Sequence, residues 1–597
     1  MGAATMRRRL RRFALPLVAL LGAVAIATVT AGTTQAGSTG SMANDHRVID
    51  ASAYDVSKPL RELAKSAKPS GTVPATRRGA DPIVIERSTG ESAATASVTS
   101  SFSTMAVGPT LANFEGLSNQ DNFNVFGFRV NPPDPVGDVG PNHYVEMINL
   151  VFAVYSKTGT KLLGPVDTGT LWDDFPIEDC TDPSGDPIVV YDQFADRWLL
   201  SQFTTRGLAD PTLPFYNCVA VSQTGDPTGA YHRYAFITQP DTDDGGYFFP
   251  DYPKYGVWKD SYVLTTRDFG AVDEYGISIY ALDRNKMVEG DPNARAVQFF
   301  LDSRNVPLED IGDGLLPADV DGKTKPKQDV PIPIVGTQDD DVPYGATVDA
   351  INIWELDVHW NANAQPNATL TGPIELPVAE FDSNYPCGPT RGCLPQPGIA
   401  NPDQWLDILS YRQRPTWRLA WRAFKGYDSM VTAQSVEASP SMAGMRWYEI
   451  RRNSATGVYT VHQQGTYAPN DGVHRWMGSI AQDKNGAMAL GYSVVNGTTV
   501  FPGIRYTGRV ASDPLGTMPQ GEAVVINGTG VQTTTNSRWG DYTSMNVDPA
   551  DDCTFWYVNE YYEVSGLPLP LPAPPLPPPG TTAPWQTRIA SFKLPGC

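Results

Sequence analysis

The chain has 597 residues, 41% of them hydrophobic and 18% charged, and its formal net charge is −20. That length allows one large domain or several smaller ones. The acidic balance argues against a surface that binds nucleic acid phosphates, and the acids are scattered along the chain, as expected for a well-solvated surface.

Residues 1–36 have the layout of a secretory signal peptide. Five arginines precede an apolar run from Phe13 to about Ala31, and small residues follow up to Ala36. A membrane anchor is the alternative, but Gly, Pro and Thr interrupt the run, which is short for a membrane-spanning helix. We therefore expect a secreted, extracellular protein without a membrane span, exported by the general or the twin-arginine route.

Residues 37–108 differ from the rest in composition, being rich in Ser, Thr and Ala and poor in aromatic residues. This composition predicts a disordered linker or pro-region. One amphipathic piece, YDVSKPLRELAKSA, is predicted to form a short helix. Aromatic and β-branched residues become frequent from Pro109 onward, so we expect the folded domain to span residues 109–597.

A group of strand-like segments recurs along residues 109–597. Each copy contains alternating or continuously apolar runs of strand length separated by turn residues. The third strand of each copy is the easiest to recognise. The seven third strands are centred near Ala153, Val219, Ile279, Ile353, Trp447, Arg505 and Ala590.

Repeats of three to four antiparallel strands at this spacing predict an all-β fold, a seven-bladed β-propeller. A pair of β-sandwiches is the alternative, but sandwiches do not require the same unit seven times. The last copy lacks a fourth strand before the chain ends. We expect a segment around PTLANFEGL, at the N-terminal side of the domain, to supply that strand and close the ring, because an open ring would leave exposed edges.

Six cysteines in an exported protein favour disulfides over a metal or redox site. Sequential pairing is the simplest of the fifteen arrangements, since each pair then lies within one local part of the chain. The expected bonds are Cys180–Cys218, Cys387–Cys393 and Cys553–Cys597.

Five motifs carry a resemblance: GDVGPNHYVEMIN, DRWLLSQF, HRWMGSIA, RWGDYTSMNVD and DDCTFWYVNEYY. From about Asn113 to Cys597 the chain resembles a family of large secreted bacterial β-propeller proteins that has no assigned activity. The resemblance implies a propeller and export, and no reaction. Sialidase-like propellers are a more distant analogy, because their Ser-x-Asp-x-Gly-x-Thr-Trp turns are absent from this sequence.

Candidate site residues follow from the predicted architecture. The innermost strand of each blade lines the axis, so the residues just before each first strand should meet at one mouth of the channel. Asp186, Asp251 and Asp541 are the catalytic candidates. The ligand-binding candidates are Asp134, Asp138, Tyr252, His474, Arg475, Trp476, Arg538 and Trp539, and Asp407 occupies a similar position.

Three interpretations of these residues compete. The acids and arginines can lock neighbouring blades together, because a buried carboxylate needs a partner. Several carboxylates can share a Ca²⁺ ion, for which Asp319, Asp321 and residues 339–341 are further oxygen-rich candidates. Two carboxylates can act as acid and base or nucleophile on a glycosidic bond, with Trp476 and Trp539 stacking on a sugar ring.

The sequence therefore leaves two functions open. The first is a monomeric extracellular propeller that binds a polysaccharide or a surface ligand at its axial mouth, with no certain cofactor and Ca²⁺ as a candidate. The second is a carbohydrate-active hydrolase or lyase at the same mouth. No Gly-x-Ser-x-Gly or His-Glu-x-x-His motif occurs, which disfavours an α/β-hydrolase and a zinc protease.

Overall fold

The protein is described from a computed structural model. The structure describes residues 45–67, 107–241, 245–270, 275–340, 345–361, 364–383, 392–408, 413–534, 537–566 and 583–597. The predicted signal peptide and Cys387 lie outside these residues. No helix among the described residues is long and apolar enough to cross a membrane.

Strands dominate the chain and helices are short. The helices are α1 Leu60–Ser66, α2 Asn119–Phe126, α3 Arg284–Glu289 and α4 Leu308–Ile311, with 3-10 turns at Thr168–Trp172, Glu178–Thr181, Arg206–Leu208 and Pro402–Gln404. The strands are β1 Arg47–Asp50, β2 Ala53–Val56, β3 Ala112–Ser118, β4 Val136–Val139, β5 His143–Ile148, β6 Val151–Ser156, β7 Lys161–Asp167, β8 Ile188–Asp192, β9 Arg197–Phe203, β10 Tyr216–Ser222, β11 Tyr231–Ile237, β12 Pro240–Asp241, β13 Gly246–Tyr247, β14 Phe249–Val257, β15 Ser261–Phe269, β16 Tyr275–Asp283, β17 Arg295–Asp302, β18 Asp313–Val320, β19 Ile332–Gln338, β20 Ala350–His359, β21 Asn367–Pro377, β22 Gly392–Leu394, β23 Leu406–Asp407, β24 Thr416–Phe424, β25 Tyr427–Ser439, β26 Met442–Asn453, β27 Tyr459–Tyr467, β28 His474–Gln482, β29 Met488–Val495, β30 Phe501–Arg509, β31 Glu522–Gly528, β32 Ser544–Val547, β33 Phe555–Tyr561 and β34 Gln586–Phe592. The prediction of an all-β fold is confirmed.

Most strands belong to four-stranded antiparallel units. In chain order these are unit 1 (β4–β7), unit 2 (β8–β11), unit 3 (β14–β17), unit 4 (β18–β21), unit 5 (β24–β27), unit 6 (β28–β31) and unit 7 (β32–β34 with β3). Units 4 and 5 form one eight-stranded sheet, because β18 pairs in parallel with β24. Each of the seven predicted third strands is the third strand of its unit.

The first strands of the units contact one another in cyclic order. β4 contacts β8, and the contacts continue through β14, β18, β24, β28 and β32 back to β4. These inner strands are buried on both faces, as the fully buried β8 and β28 show. Because these strands are buried on both faces, their charged residues, such as Asp319 and Arg418, need partners inside the protein.

The last unit is completed by a strand from the other end of the domain. β3 pairs antiparallel with β34, and Ala112 lies opposite Ser591. This is the segment that the sequence predicted for closure. Cys553 and Cys597 form a disulfide in the same unit, with Cα atoms 5.8 Å apart.

The other cysteines follow the expected order where the structure describes them. Cys180 is bonded to Cys218 with a Cα separation of 6.0 Å. Cys393 is also disulfide-bonded. The described residues contain no free cysteine.

The prediction of disorder for residues 37–108 is wrong for residues 45–67. β1 adds a fifth strand to unit 3 and β2 adds one to unit 2. The helix α1 follows, and it packs on β7 of unit 1. Arg233 donates to Asp55 at 2.5 and 2.7 Å, which fixes β2 on its sheet. Backbone pairing to open sheet edges explains the order here, since such pairing needs few large apolar side chains.

A buried arginine joins the inner strands. Arg418 of β24 donates to Asp319 at 2.7 Å and to Asp321 at 2.7 and 2.6 Å. It also donates to the carbonyl of Met545 on β32. Asp319 in turn accepts from the backbone N–H of Val257 on β14. One guanidinium therefore connects four units.

We expect Arg418→Met to lower the free energy of unfolding by about 3–5 kcal/mol at pH 8, because two buried carboxylates lose their counter-charge. The loss should be smaller at pH 5, because burial raises the pKa of Asp319 to about 6 and the carboxyl can then become neutral. Urea titration at both pH values measures this. Arg304→Met, which removes a surface ion pair to Asp302, is the control and should change stability by about 1 kcal/mol or less. Equal losses at the two pH values would contradict the prediction.

We expect replacement of Cys553 and Cys597 by Ser to lower stability by about 4 kcal/mol, because the bond closes a 44-residue loop. The C-terminal strand should then become sensitive to limited proteolysis. The double Ser variant of Cys180 and Cys218, whose loop is of similar length, is the control and should leave the C-terminal strand protected. Free thiols at positions 553 and 597 on non-reducing peptide mapping would rule the bond out.

Candidate functional site

The inner strands begin with an unusual backbone conformation. Positive φ angles occur near the start of six of them, before the strand at Asp134 (49°), Asp186 (49°) and Gln413 (53°), and within its first four residues at Tyr252 (54°), Gly314 (62°) and Met477 (46°). The register of the first two strands shifts across this residue in units 3, 4 and 6. Non-glycine residues in this conformation cost on the order of 1–3 kcal/mol each and are frequent at functional sites.

Two of these residues are aspartates joined by an asparagine. The Asn149 side chain donates to Asp134 at 2.7 Å and accepts from the backbone N–H of Asp186 at 3.0 Å. Asp134 also accepts from the backbone N–H of Asp541 at 2.6 Å. Units 1, 2 and 7 therefore bring three of the predicted site aspartates into one cluster.

Two tyrosines and a lysine lie beside these acids. Tyr542 lies within hydrogen-bond distance, 3.1 Å, of both Asp186 Oδ2 and the carbonyl of Pro253. The Lys254 nitrogen lies 3.0 Å from the ring centroid of Tyr252 and 3.7 Å from that of Tyr542. The predicted residue Tyr252 thus lies at the site, buried beneath it.

Arginines border the cluster. Arg538 donates to Asp541 at 2.6 Å, and its Nε lies 3.8 Å from Asp407. The side chains of Arg538 and Asp541 are 26% and 17% exposed, so solvent reaches this pair. The sequence placed Arg538, Asp541 and Asp407 together, and the structure has them together.

Asp251 faces a second arginine. Its carboxylate accepts from the backbone N–H of Tyr252 at 2.9 Å, and the Arg267 charge acts on it. Arg267 itself pairs with Asp313 at 3.0 Å, and Arg414 lies 3.4 Å from the same carboxylate. Units 3, 4 and 5 therefore extend the charged cluster.

Burial changes the protonation of the aspartates. It raises the pKa of Asp134 to about 7, and the neighbouring Asp541 adds to the effect while Arg538 opposes it. Burial also raises the pKa of Asp186 well above its ordinary value, with Asp251, Asp134 and Asp541 adding to it. The pKa of Asp251 is raised by burial, and Arg267 opposes this change. The site therefore contains carboxyl groups that can carry a proton near neutral pH.

Asp138 lies deeper along β4, away from this cluster. It accepts from the backbone N–H groups of Val139 and Tyr191. Burial raises its pKa to about 8, with Asp319 adding to the effect and Arg418 opposing it. Asp138 thus belongs with the buried Arg418 group.

Arg475 and His474 are not brought to the aspartate cluster. Arg475 donates to Asp471 and to Glu522 at 2.8 Å each, and Glu522 lies on the fourth strand of unit 6. His474 is buried, and burial lowers its pKa to about 4. In β28 the residue with positive φ is Met477, three positions after His474.

The two candidate tryptophans lie in the core and not, as predicted, at the surface of a site where they could stack on a sugar. Trp476 and Trp539 are fully buried and pack on each other with ring centroids 5.0 Å apart. Trp539 donates to Ser493 at 3.2 Å. Rings enclosed on both faces by protein cannot stack on a sugar, so both residues serve the core between units 6 and 7.

The candidate Ca²⁺ ligands differ in their surroundings. Asp319 and Asp321 are both bound by Arg418, whose charge disfavours a cation there. Carboxylate oxygens of Asp339, Asp340 and Asp349 lie within 4.8 Å of one another. Asp349 accepts from the backbone N–H groups of Asp340 and Phe381, so the protein already donates to both of its oxygens. Calcium at this second position stays a prediction.

Sequence reasoning missed Asn149, Lys254 and Tyr542, which contact the aspartates or the tyrosines of the cluster, and the bordering residues Arg267, Asp313 and Arg414. Gln413 is 1% exposed, and neither polar atom of its side chain has a hydrogen-bond partner among the described residues. Lys254 had a visible signal, because a single lysine interrupts the otherwise uncharged end of the strand in YPKYGVW. Asn149 and Gln413 had none, since polar amides near turns are common.

Comparisons with family models and with curated protein sequences find no match. Among solved structures, a β-1,3-galactosidase of family GH43 in complex with galactodeoxynojirimycin is 9% identical, covering 60% of this chain and 97% of that one, with a TM-score of 0.28. An α-L-arabinanase from Penicillium chrysogenum complexed with arabinobiose is 11% identical, covering 68% and 94%, with a TM-score of 0.28. A family 117 glycoside hydrolase from the marine bacterium Zobellia galactanivorans is 9% identical, covering 69% and 84%, with a TM-score of 0.23. TM-scores this low support no assignment of fold or activity.

Proposed function

We propose that the protein is a secreted, carbohydrate-active hydrolase whose site lies where the inner strands begin. The seven units are then the blades of a seven-bladed propeller, a proposal supported by the closed cyclic order of contacts among the first strands. Export is supported by the layout of residues 1–36 and by the disulfides, which are typical of oxidising compartments.

One observation carries the proposed reaction, namely the contrast between Asp186 and Asp541. Asp186 has a tyrosine hydroxyl within hydrogen-bond distance, and burial raises its pKa well above the ordinary value. Asp541 is ion-paired with Arg538 at 2.6 Å. Glycosidases need one carboxyl that carries a proton and one carboxylate that does not, and different surroundings produce that difference.

The proposed roles follow from these surroundings. Asp186 protonates the oxygen of the leaving sugar, so the carboxyl O–H bond breaks as the glycosidic bond breaks. Asp541 acts on the opposite face of the sugar, either as the nucleophile or as the base that activates water. Asp251 and Asp134 bind substrate hydroxyl groups, for which carboxylates and amides are common protein partners.

The side-chain amide of Gln413, which has no hydrogen-bond partner among the described residues, supports a ligand next to Arg414 at the border of the cluster. Burying an amide without a hydrogen bond costs about 1–3 kcal/mol on the scale of protein substitutions. Its φ of 53° is close to the 49° of Asp134 and Asp186, and all three residues lie two or three positions before the first strand of their units. A polyol with several hydroxyl groups would provide the missing partners.

A non-catalytic site for polysaccharide is the second candidate. It is favoured by the fact that Asp134 and Asp251 both accept from backbone N–H groups, which is what a binding or structural role requires. The two candidates share the same site and differ in whether a bond is broken.

We expect the exported protein to release reducing sugar from at least one member of a panel of arabinan, galactan, xylan, pectin and alginate. Asp186→Asn and Asp541→Asn should each lower product release by about 10²–10⁴-fold while polysaccharide binding persists, because acid–base groups act on the reaction more than on affinity. Reducing-end assays measure release and affinity electrophoresis measures binding.

Asp268→Asn is the matched control. Asp268 is also a buried aspartate with hydroxyl partners, Thr266 and Ser278, and burial raises its pKa to about 7. It lies in β15, outside the cluster, so product release should stay within a few-fold of the wild type. Binding by the wild type without release from any polymer would favour the non-catalytic candidate. Absence of both would contradict the proposal.

We expect kcat/KM to fall as the pH rises, because Asp186 must carry its proton and its raised pKa places the loss of that proton on the alkaline side. The residual activity of Asp186→Asn should lack this alkaline fall. The measurement is the pH dependence of kcat/KM on the best substrate of the panel. An alkaline fall that persists unchanged in the variant would assign the acid to another residue.

A further inference from the structure

Lys254 is buried beside the aspartates and tyrosines of the site. Lys254 is a residue of β14 and is 1% exposed. Its side-chain nitrogen has no hydrogen-bond partner among the described residues. No ion pair within 4 Å involves it in the part of the chain that the structure describes. A buried ammonium group in such surroundings is expensive, whereas a neutral amine is tolerated.

Aromatic faces compensate for part of that cost. The Lys254 nitrogen lies over the rings of Tyr252 and Tyr542, at 3.0 and 3.7 Å from their centroids. A desolvated cation on an aromatic face gains about 2 kcal/mol. The position can therefore hold the amine in either protonation state, and the balance is set by the charges around it.

The surrounding charges are acidic on most sides. Burial lowers the pKa of Lys254 well below its ordinary value, while Asp186, Asp541 and Asp251 favour its charged form and Arg414 opposes it. Seen from Asp186, the facing groups are Asp251, Asp134, Asp541 and Lys254, together with the Tyr542 hydroxyl. Lys254 is the one cation among the groups that act on Asp186 most strongly.

Tyr542 connects the lysine to Asp186. Its ring contacts the Lys254 nitrogen, and its hydroxyl lies 3.1 Å from both Asp186 Oδ2 and the carbonyl of Pro253. When Asp186 is protonated, the tyrosine can accept from it and donate to Pro253. When Asp186 is ionised, the tyrosine can donate to the carboxylate. The hydroxyl thus has a partner in both states.

We propose that Lys254 is a positioning residue whose amine and the Asp186 carboxyl form one proton-holding pair. This inference rests on the proposed function, in which the Asp186 proton is the one given to the leaving sugar. When Asp186 gives its proton to the leaving oxygen, a carboxylate is left behind. The Lys254 amine then takes a proton from a hydronium ion of the solvent, which leaves a neutral water molecule, and the positive charge of the ammonium group balances the negative charge of the carboxylate.

The pair predicts opposite effects for two substitutions. Lys254→Arg fixes a positive charge beside Asp186, so Asp186 should lose its proton at lower pH than in the wild type. Lys254→Met removes the charge, so Asp186 should keep its proton to higher pH. A lysine that only fills space would give no shift, or shifts in the same direction.

Infrared spectroscopy can read this proton without any substrate. The stretching band of the protonated Asp186 carboxyl is identified as the band that Asp186→Asn removes, and its disappearance is followed with pH in wild type, Lys254→Arg and Lys254→Met. The control is Lys259→Met, since Lys259 donates to the backbone carbonyls of Lys327, Gln328 and Val330 and does not face Asp186. We expect a shift of about one pH unit or more in opposite directions for the two Lys254 variants and none for the control.

The same variants separate the two proposals. If the alkaline fall of kcat/KM moves with the infrared band, both the pair and the reaction are supported. If the band shifts but no polymer is cleaved, the pair stands and the hydrolase proposal fails. Should Lys254→Met not fold, the Lys254→Arg shift alone decides. An unmoved band, or shifts in one direction in both variants, would overturn the role of Lys254.

Discussion

The buried guanidinium of Arg418 is the contact on which the arrangement of the inner strands depends. It binds Asp319 and Asp321 of unit 4 and the Met545 carbonyl of unit 7, and Asp319 extends the contact to unit 3. A charge pair buried this deeply stabilises little by itself, but it is costly to break, so it fixes which strands may approach.

The positions of several site residues depend on strained backbone near the starts of the inner strands. Tyr252 and Met477 are bulky residues with positive φ, and only surrounding packing can hold them there. That conformation turns the side chains at the start of each strand in a direction that a regular strand would not give. Asp134, Asp186, Tyr252 and Gln413 share this positive φ near the starts of their strands, whereas Asp251 and Asp541 reach the cluster without it.

The sequence predicted most of the strand units but only about half of the residues of the candidate site. The reason is that strand signals are local, whereas the site depends on how the units meet. Strand periodicity and turn residues are local signals, which is why all seven third strands and the closing strand were located. Asp134, Asp186, Asp251 and Asp541 were found because an acid before an apolar strand stands out. Trp476 and Arg475 were misplaced because the shift in register, which periodicity does not reveal, moves the site position of β28 to Met477. Lys254 was missed because a lysine inside a strand usually points to solvent.

The pairing of β3 with β34 joins two strands that are synthesised at very different times. Ala112 pairs with Ser591, a partner 479 positions later in the chain, so β3 leaves the ribosome long before its partner exists. At about 5–20 residues per second, that delay is roughly 25–100 s. During this time β3 lacks β34 and β4 lacks its contact with β32, while the partners of β1 and β2 in units 3 and 2 are synthesised much sooner. The pair of β3 and β34 can therefore form only after the last strand has been synthesised, so a chain truncated before β34 would leave β3 without this partner.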